Sequence, residues 1–327
     1  MSLNTRFIIA LQQISGYGSK TIKALAEKSK EVGIETPQEL CEFVNSSISD
    51  GLIPRVKKLI DIDELTEAIH KADWILEKSE ELGIKCVSYL EPNFPQNLLK
   101  TVNEEGKPDV PILLYYKGDL SITKQKAVAI IGTREPTQEG VRAGEYYGEK
   151  FAQEGYNIVS GLAIGCDTAG HKGALKAGGV TTSFLAHGLD MVYPPENTDL
   201  AQAILDGGGL LMSEYPIGTN VNRYNLVARD RLQAALADAT IVIQTGIRGG
   251  TLHASNTTLI SGKPLFCVKF TNLSNHEKTQ GNNLLVSKGA LFLSSDSAIA
   301  TVAGAITKPL DSEIQTPTPT QQTLFDL

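Results

Sequence analysis

The sequence predicts an α/β protein in which a doubly wound, mostly parallel sheet follows a small N-terminal helical domain. Two observations support this prediction. Apolar residues follow helical spacing in the first 80 residues, whereas from Cys86 onward short runs rich in Val and Ile alternate with helical segments. The runs are continuously apolar, which indicates strands buried on both faces. Their alternation with helices indicates βαβ units and a parallel sheet.

The predicted helical domain spans residues 1–80. In Asp61–Glu81 apolar residues recur at helical spacing, and Gly83 suits the position just after a helix. Earlier, the segment Ile14–Thr21, with glycines at positions 16 and 18, joins two helical stretches. This pattern resembles a helix-hairpin-helix, which offers backbone N–H groups to a DNA phosphate. A tight interhelical turn explains it equally well.

Six short apolar runs are predicted to form the sheet of a second domain, residues 81–305. They are Ala127–Ile131, Asn157–Ser160, Val180–Ala186, Leu210–Ser213, Ala239–Ile243 and Pro264–Val268. Ligands of doubly wound sheets bind at the carboxyl ends of the strands, so a site is expected in the loops after these runs. Residues 306–327 are rich in Thr, Pro and Gln and are predicted to be a disordered tail.

Composition narrows the functional classes. The chain has 327 residues, is 41% apolar and carries a net charge of −7, which is ordinary for a soluble protein. No apolar run approaches the roughly 20 residues of a membrane span, and the N-terminus lacks a signal-peptide pattern. A cytoplasmic location is therefore expected. The four cysteines are scattered without a CxxC, which predicts neither a zinc site nor a disulfide framework.

Three glycine-containing turns follow predicted strands and precede helices. They lie in Ile131–Arg134, Ser160–His171 and Gly246–Thr251. A strand that breaks into glycines and then opens a helix leaves backbone N–H groups for an anion. The sequence therefore predicts a phosphate site at the carboxyl edge of the sheet, formed by Gly132, Thr133, Arg134, Ser160, Gly161, Leu162, Ala163, Gly165, Gly250 and Thr251.

Cationic and aromatic residues accompany these turns. Six cations on or near the loops could track a phosphate backbone; they are Arg134, Lys172, Arg223, Arg229, Arg231 and Arg248. A solvated rim of surface charge is the alternative. The net negative charge of the whole chain argues against nonspecific binding along duplex DNA, but a local basic cleft can still bind phosphates. Tyr193, Tyr215 and Tyr224 stand near the same loops, either to stack on bases or to anchor the loops.

Candidate catalytic groups have simpler structural interpretations. Asp167 sits where a helix starts, and an N-cap role explains it. His171 and His253 lie just inside helices that follow glycine turns, and packed or rim histidines are favoured over proton relays. No GxGxxG, Walker or GxSxG motif is present. The chain is therefore predicted not to be an enzyme and to use no cofactor or metal.

Glycines at positions 140, 144 and 148 are spaced four apart. This spacing gives a helix one face of small residues. It predicts close packing of that helix on the sheet.

An ordered set of motifs is similar to the DNA-processing protein A family (DprA, also called Smf). The set runs from about Tyr89 to Leu293, and its order is specific to this family. Its members are Ile131–Arg134, Ser160–Ala163 with Gly165 and Asp167, His171 with Gly173–Leu175, Gly188–Asp190, Tyr193–Asn197, Ser213–Gly218, Arg229–Arg231, and Gly281–Leu285 with Gly289–Ala290.

The resemblance implies an extended Rossmann-like fold that binds single-stranded DNA in a basic pocket. It also implies a homodimer that protects incoming DNA and hands it to the RecA recombinase in natural transformation. Transferred to the matching positions, it implies phosphate binding by Arg134 and the Gly161–Gly165 turn. Arg229 and Arg231 would line the same pocket. Lys172, next to the matched His171, is added on physical grounds.

The chain departs from the family pattern at several positions. The family's Arg-Asn-Arg carries Asp230 as its middle residue here, which adds a negative charge beside the pocket. A usual Val-Pro-Gly is Val268–Phe270, and the glycine-serine-leucine turn is Gly250–Ala254. The residues after Ala305 are too few for the C-terminal winged helix that many relatives carry.

Two further functions remain open. The first is a nucleotide sensor, or an enzyme similar to nucleotide phosphoribohydrolases, which use Gly-Gly-x-Gly-Thr-x-x-Glu. Gly249–Thr251 resembles the start of that motif, but no glutamate follows until Glu277, so acid–base chemistry has no evident agent. The second is a sliding-clamp contact, because Gln321, Leu324 and Phe325 resemble the Gln-x-x-Leu-Phe clamp peptide. A stray apolar end is the alternative for the tail.

Overall fold

The structure is a computed structural model that describes residues 3–30, 32–53, 56, 58–273 and 276–307. Its N-terminal helices are α1 (Thr5–Gln12), α2 (Ser19–Ser29), α3 (Pro37–Ser49) and α4 (Ile62–Glu81). The helix predicted in Asp61–Glu81 is confirmed as α4. Asp61 is its N-cap, and Gly83 follows it with a φ of 68°. The glycines at positions 16 and 18 lie in the turn between α1 and α2.

A sheet of nine strands follows in the described part of the chain. The strands are β1 (Lys85–Ser88), β2 (Leu113–Gly118), β3 (Ala127–Ile131), β4 (Asn157–Ser160), β5 (Thr181–Leu185), β6 (Leu210–Ser213), β7 (Ala239–Val242), β8 (Leu265–Val268) and β9 (Leu291–Leu293). Their order is β1-β2-β6-β5-β4-β3-β7-β8-β9. β2 pairs antiparallel with β1 and β6, and every pairing from β6 across to β9 is parallel. The doubly wound, mostly parallel sheet is therefore confirmed.

Helices connect the parallel strands on both faces of the sheet. They are α5 (Gln138–Gln153), α6 (Cys166–Lys176), α7 (Thr198–Asp206), α8 (Arg223–Leu236), α9 (Thr251–Ile260) and α10 (Gln280–Ser287), and a further helix, α11 (Ala298–Thr307), follows β9. None of the helices described is long and apolar enough to cross a membrane. Residues 306 and 307, assigned to the tail from the sequence, belong to α11, and the rest of the tail lies outside the described residues.

Alternate side chains of the central strands pack on opposite faces of the sheet. Val128 and Ile130 of β3 join a buried cluster with Phe151 of α5, whereas Ala129 joins a cluster with Leu232 of α8 on the other face. Fully burying one such large apolar side chain stabilises a fold by about 1.5–3 kcal/mol. Because helices cover both faces, the carboxyl ends of the strands are left for a site.

The N-terminal helices share an apolar cluster with one side of the sheet. Phe7 and Leu11 of α1 belong to the same buried cluster as Tyr115 of β2 and Leu185 of β5. The helices therefore pack directly on strands from the later part of the chain. Because of this shared cluster, the domain boundary expected near residue 80 stays a prediction.

Glycines bring α5 and α6 into close contact. A Cβ added at Gly148 would lie 2.3 Å from the carbonyl oxygen of Gly170, and one at Gly144 would lie 2.7 Å from the Cβ of Ala169. The sequence predicted that these glycines face the sheet, and for these two that is wrong. They face a neighbouring helix, because α5 and α6 lie side by side against β3 and β4.

We expect Gly148→Ala to lower the free energy of unfolding by about 1–3 kcal/mol, because its new methyl group would collide with the backbone of α6. Urea denaturation measures this change. Gly304→Ala is the matched control: it also lies in a helix, but its added Cβ would have no heavy atom within 4 Å. It should be neutral or raise stability by up to about 1 kcal/mol. Equal losses in the two variants would contradict the close-packing interpretation.

Candidate functional site

The loops after β3, β4 and β7 meet at one edge of the sheet, because these three parallel strands are neighbours. Together with α8 they line a cavity of about 450 Å³, which we call the edge cavity. Of the residues predicted from the sequence, those that line it are Gly132, Thr133, Arg134, Ala163, Arg229, Gly250 and Thr251. Arg223 and Arg248, noted among the cations, also line it. The cavity therefore lies at the edge where the sequence places a site.

A smaller cavity of about 70 Å³ lies beside the edge cavity. Gly161, Ile164 and Tyr193 line it, and Arg134 and Arg229 line both cavities. These two arginines are thus the cationic side chains that the two cavities share.

Internal hydrogen bonds hold the loop after β4. Ser160 Oγ donates to the carbonyl of Ile130 at 2.6 Å. Leu162 is fully buried and has a positive φ of 59°, which is uncommon for a residue with a side chain. The Asn197 amide donates to the Leu162 carbonyl at 2.7 Å and to Thr168 Oγ1 at 2.9 Å. Asn197 belonged to a matched motif, but its supporting role was missed.

Asp167 supports the same loop and does not cap its helix, so the N-cap interpretation is wrong. The N-cap of α6 is Gly165, whose φ is 93°. The Asp167 carboxylate instead accepts bonds from the N–H groups of Gly161 and Ala163, at 3.1 Å and 3.4 Å. Two N–H groups that were expected to bind an anion are thus satisfied by a carboxylate of the protein. An anion at this edge would therefore have to be bound chiefly by side chains.

Arg229 is buried between the loop and the sheet. Its side chain is 6% exposed, its Nη1 donates to the Phe184 carbonyl at 2.6 Å, and its Nε lies 3.2 Å from Asp230 Oδ1. The guanidinium fills the space next to Gly161, where an added Cβ would lie 1.7 Å from Nη1. A side chain at position 161 would therefore displace the Arg229 guanidinium, so this close approach, rather than φ, favours glycine there.

The structure does not bring two of the predicted cations to the edge cavity. The side chain of Arg231 is 12% exposed and binds Glu214 through Nη1 and Nη2, at 2.6 Å and 2.8 Å, and Asp109 through Nε at 2.6 Å. Two carboxylates thus neutralise Arg231 on the far side of α8. Lys172 is exposed on α6 and is not among the lining residues. The expectation that Arg231 lines the same cavity as Arg229 is corrected accordingly.

Side-chain amides fix the other two loops, and sequence reasoning missed both. Gln244, just after β7, accepts the N–H of Thr137 at 2.9 Å and donates to Thr137 Oγ1 at 3.0 Å, which ties its loop to the start of α5. Asn282 accepts the N–H of Thr245 and donates to the Ile243 carbonyl. For Gln244 the available signal was a polar amide that directly follows a buried apolar run, whereas Asn282 lies in α10 within a matched motif and gave no signal of its role.

The histidines are packed or at a rim, as the sequence favoured. His171 is fully buried and hydrogen-bonded to Thr181 Oγ1, and burial lowers its pKa to about 3, so it is neutral. His253 pairs with Glu104 at a neighbouring cavity. Glu277, the carboxylate that a phosphoribohydrolase would need, is exposed and does not line the edge cavity.

The three tyrosines have different positions. Tyr224 is 70% exposed, and its ring centre lies 4.7 Å from the Arg223 guanidinium. Tyr193 lines the small cavity next to Arg134. Tyr215 lies away from both, in a cleft lined by residues of the first helices. Tyr224 and Tyr193 are therefore the aromatic rings near the predicted site. The predicted clamp residues Gln321, Leu324 and Phe325 lie outside the described residues.

We expect Gly161→Ala to lower the free energy of unfolding by about 1–3 kcal/mol, because its methyl group displaces the Arg229 guanidinium. The double variant Gly161→Ala/Arg229→Ala removes the colliding group. Its loss should therefore be smaller than the sum of the two single losses, by at least about 0.5 kcal/mol. Urea denaturation of all four proteins gives this coupling. Additive losses would mean that Gly161 and Arg229 do not constrain each other.

Comparisons with known proteins address the same region. A family model described as DNA recombination-mediator protein A matches residues 85–303. Protein Smf of Synechocystis sp. is 31% identical over 235 residues, which cover 71% of this chain and 57% of that protein. The crystal structure of DprA from Streptococcus pneumoniae has a TM-score of 0.72 at 26% identity and covers 92% of this chain and 98% of that one.

A second solved structure is that of DNA processing protein A from Helicobacter pylori, described for its single-stranded DNA binding mode. Its TM-score is 0.57 at 27% identity, and the match covers 68% of this chain and 94% of that one. This chain spans between 51% and 65% of the length of three curated relatives. The family match includes all of β1–β9 and the loops that line the edge cavity, and it contains the whole range of the ordered motifs, about Tyr89 to Leu293. The chain therefore belongs to the DNA recombination-mediator protein A family.

Proposed function

We propose that this protein binds single-stranded DNA in the edge cavity and mediates its recombination. The observation that carries the proposal is the convergence of arginines there. Arg134, Arg223, Arg229 and Arg248 line one cavity in a chain whose net charge is −7. Phosphate contacts of this kind supply most of the affinity of proteins for nucleic acid.

The size of the cavity supports individual nucleotides as its occupants. A volume of about 450 Å³ is in the range of sites that enclose one small molecule. Nucleotides can enter such a cavity one at a time from a flexible strand, whereas the bases of a duplex are held in a stack. The H. pylori relative, described for its binding of single-stranded DNA, further supports this choice.

Binding of this kind needs no catalytic group. Phosphates would contact Arg134 and Arg229, while bases could stack on the exposed ring of Tyr224. Neither contact reads the edge of a base, so little sequence preference is expected.

We further propose that the protein works as a cytoplasmic homodimer and passes the bound strand to RecA. Membership of a family of recombination mediators supports the transfer, which can be measured as faster assembly of RecA on a labelled strand; no acceleration would count against it.

Docking of the tail to the sliding clamp, through Leu324 and Phe325, is a separate proposal. Deleting the last seven residues should abolish clamp binding, and equal binding of both forms would refute it.

We expect Arg134→Ala to weaken binding of a fluorescent oligo-dT and to lower the slope of log Kd against log salt by about one, because one phosphate contact is lost. Fluorescence anisotropy at several salt concentrations measures both. Arg142→Ala is the matched control, since this exposed arginine of α5 pairs with Glu139 and does not line the cavity. It should leave affinity nearly unchanged.

Two results would contradict the proposed function. The first is unchanged binding by Arg134→Ala across the salt series. The second is retention of free nucleotides without binding of the oligonucleotide, which would favour the nucleotide-sensor alternative. Duplex DNA and mononucleotides, added as competitors, separate these cases.

A further inference from the structure

Asp230 lies in the wall of the edge cavity, directly beside its buried arginine. Its side chain is 15% exposed, and its Oδ1 lies 3.2 Å from Arg229 Nε. The same oxygen accepts a hydrogen bond from the side-chain Nε2 of Gln233 at 3.1 Å. Its Oδ2 lies 3.3 Å from the position that a Cβ of Gly250 would occupy. The carboxylate is therefore enclosed between α8 and the turn that precedes α9.

Charged groups face Asp230 from each element around it. Arg229 of the same helix, Arg134 of the loop after β3 and His253 of α9 favour the ionised form, whereas Asp167 of α6 opposes it. Burial opposes ionisation most strongly and raises the pKa of Asp230 to about 7. The charge of this cavity therefore changes within the physiological pH range.

A phosphate in the edge cavity and the Asp230 carboxylate would compete for the same cation. Arg229 Nε makes no hydrogen bond to another described side chain or backbone group, while its Nη1 is held by the Phe184 carbonyl. Arg229 and Asp230 both line the edge cavity, so a phosphate oxygen that reaches the guanidinium there also approaches the Asp230 carboxylate. Two negative charges held beside one guanidinium repel each other.

We propose that Asp230 makes phosphate binding in the edge cavity conditional on a proton: the strand binds when the carboxyl group is protonated, with uptake of one proton from solvent. This inference rests on the proposed function, because it takes the backbone phosphate of single-stranded DNA as the anion. Protonation removes the repulsion and turns the carboxyl group into a hydrogen-bond donor towards a phosphate oxygen. The proton returns to solvent when the strand leaves.

The direction of the pH dependence follows from this exchange. Above about pH 7 the free protein carries an ionised Asp230, while the bound phosphate raises the pKa of that carboxyl further. Affinity should therefore fall as the pH rises from 6 to 8.5. One proton limits the fall to about tenfold per pH unit. Towards pH 6 the carboxyl is largely protonated without DNA, and the affinity should level off.

The test is fluorescence anisotropy of oligo-dT with the full chain at constant ionic strength from pH 6 to pH 8.5. We expect the wild-type Kd to rise at least fivefold. Asp230→Asn, which is neutral throughout, should bind at every pH about as tightly as the wild type does at pH 6. His253→Gln is the matched control: it replaces the histidine that faces Asp230 from α9, and it should keep the wild-type slope.

Calorimetric titration at pH 8, in two buffers of different ionisation enthalpy, measures the proton directly and needs no variant. The wild type should take up close to one proton per bound strand, and Asp230→Asn none. A Kd independent of pH, a slope that survives in Asp230→Asn, or a slope lost in His253→Gln would each overturn the inference while leaving DNA binding intact. Absence of oligo-dT binding by all three proteins at every pH would overturn the proposed function as well.

Discussion

The burial of one guanidinium, that of Arg229, is the constraint on which the site depends. A cation with a side chain that is 6% exposed must be compensated by nearby groups. The Phe184 carbonyl at the end of β5 and the carboxylates of Asp167 and Asp230 provide that compensation. Its size in turn favours a glycine at position 161, because any side chain there would displace the guanidinium. A single charge thus fixes a helix, a strand end and a loop relative to one another.

The loops around this arginine are preorganised by hydrogen bonds within the protein. Asn197 holds the reversal at Leu162, Gln244 ties the loop after β7 to α5, and Asn282 anchors Thr245. These amides satisfy backbone groups that buried loops would otherwise leave unpaired. Side chains at the cavity can therefore meet a ligand without first ordering the backbone, which lowers the entropic cost of binding.

β3–β8 could be predicted because each lies in a short apolar run, whereas β1 and β2 at one end of the sheet and β9 at the other could not. Two of the three residues of β9 are exposed, and β1 begins with an exposed residue, so neither gives that signal. The glycine turns were also predictable, because each is a pattern of a few neighbouring residues between a predicted strand and a helix. The partners of Arg231 were not, since Asp109 lies 122 positions away in the sequence. The role of Asp167 could not be predicted either, because only the folded loop brings the N–H groups of Gly161 and Ala163 to its carboxylate.

Arg229 and Arg231 stand two positions apart on α8, which turns their side chains roughly 200° away from each other. One faces the edge cavity, while the other is fastened to Glu214 and Asp109 on the opposite flank. One flank of α8 is thus fixed by ion pairs, and the opposite flank faces the cavity. The ion pairs of Arg231 hold α8 in place from one flank, so the guanidinium of Arg229 keeps its position at the cavity on the other.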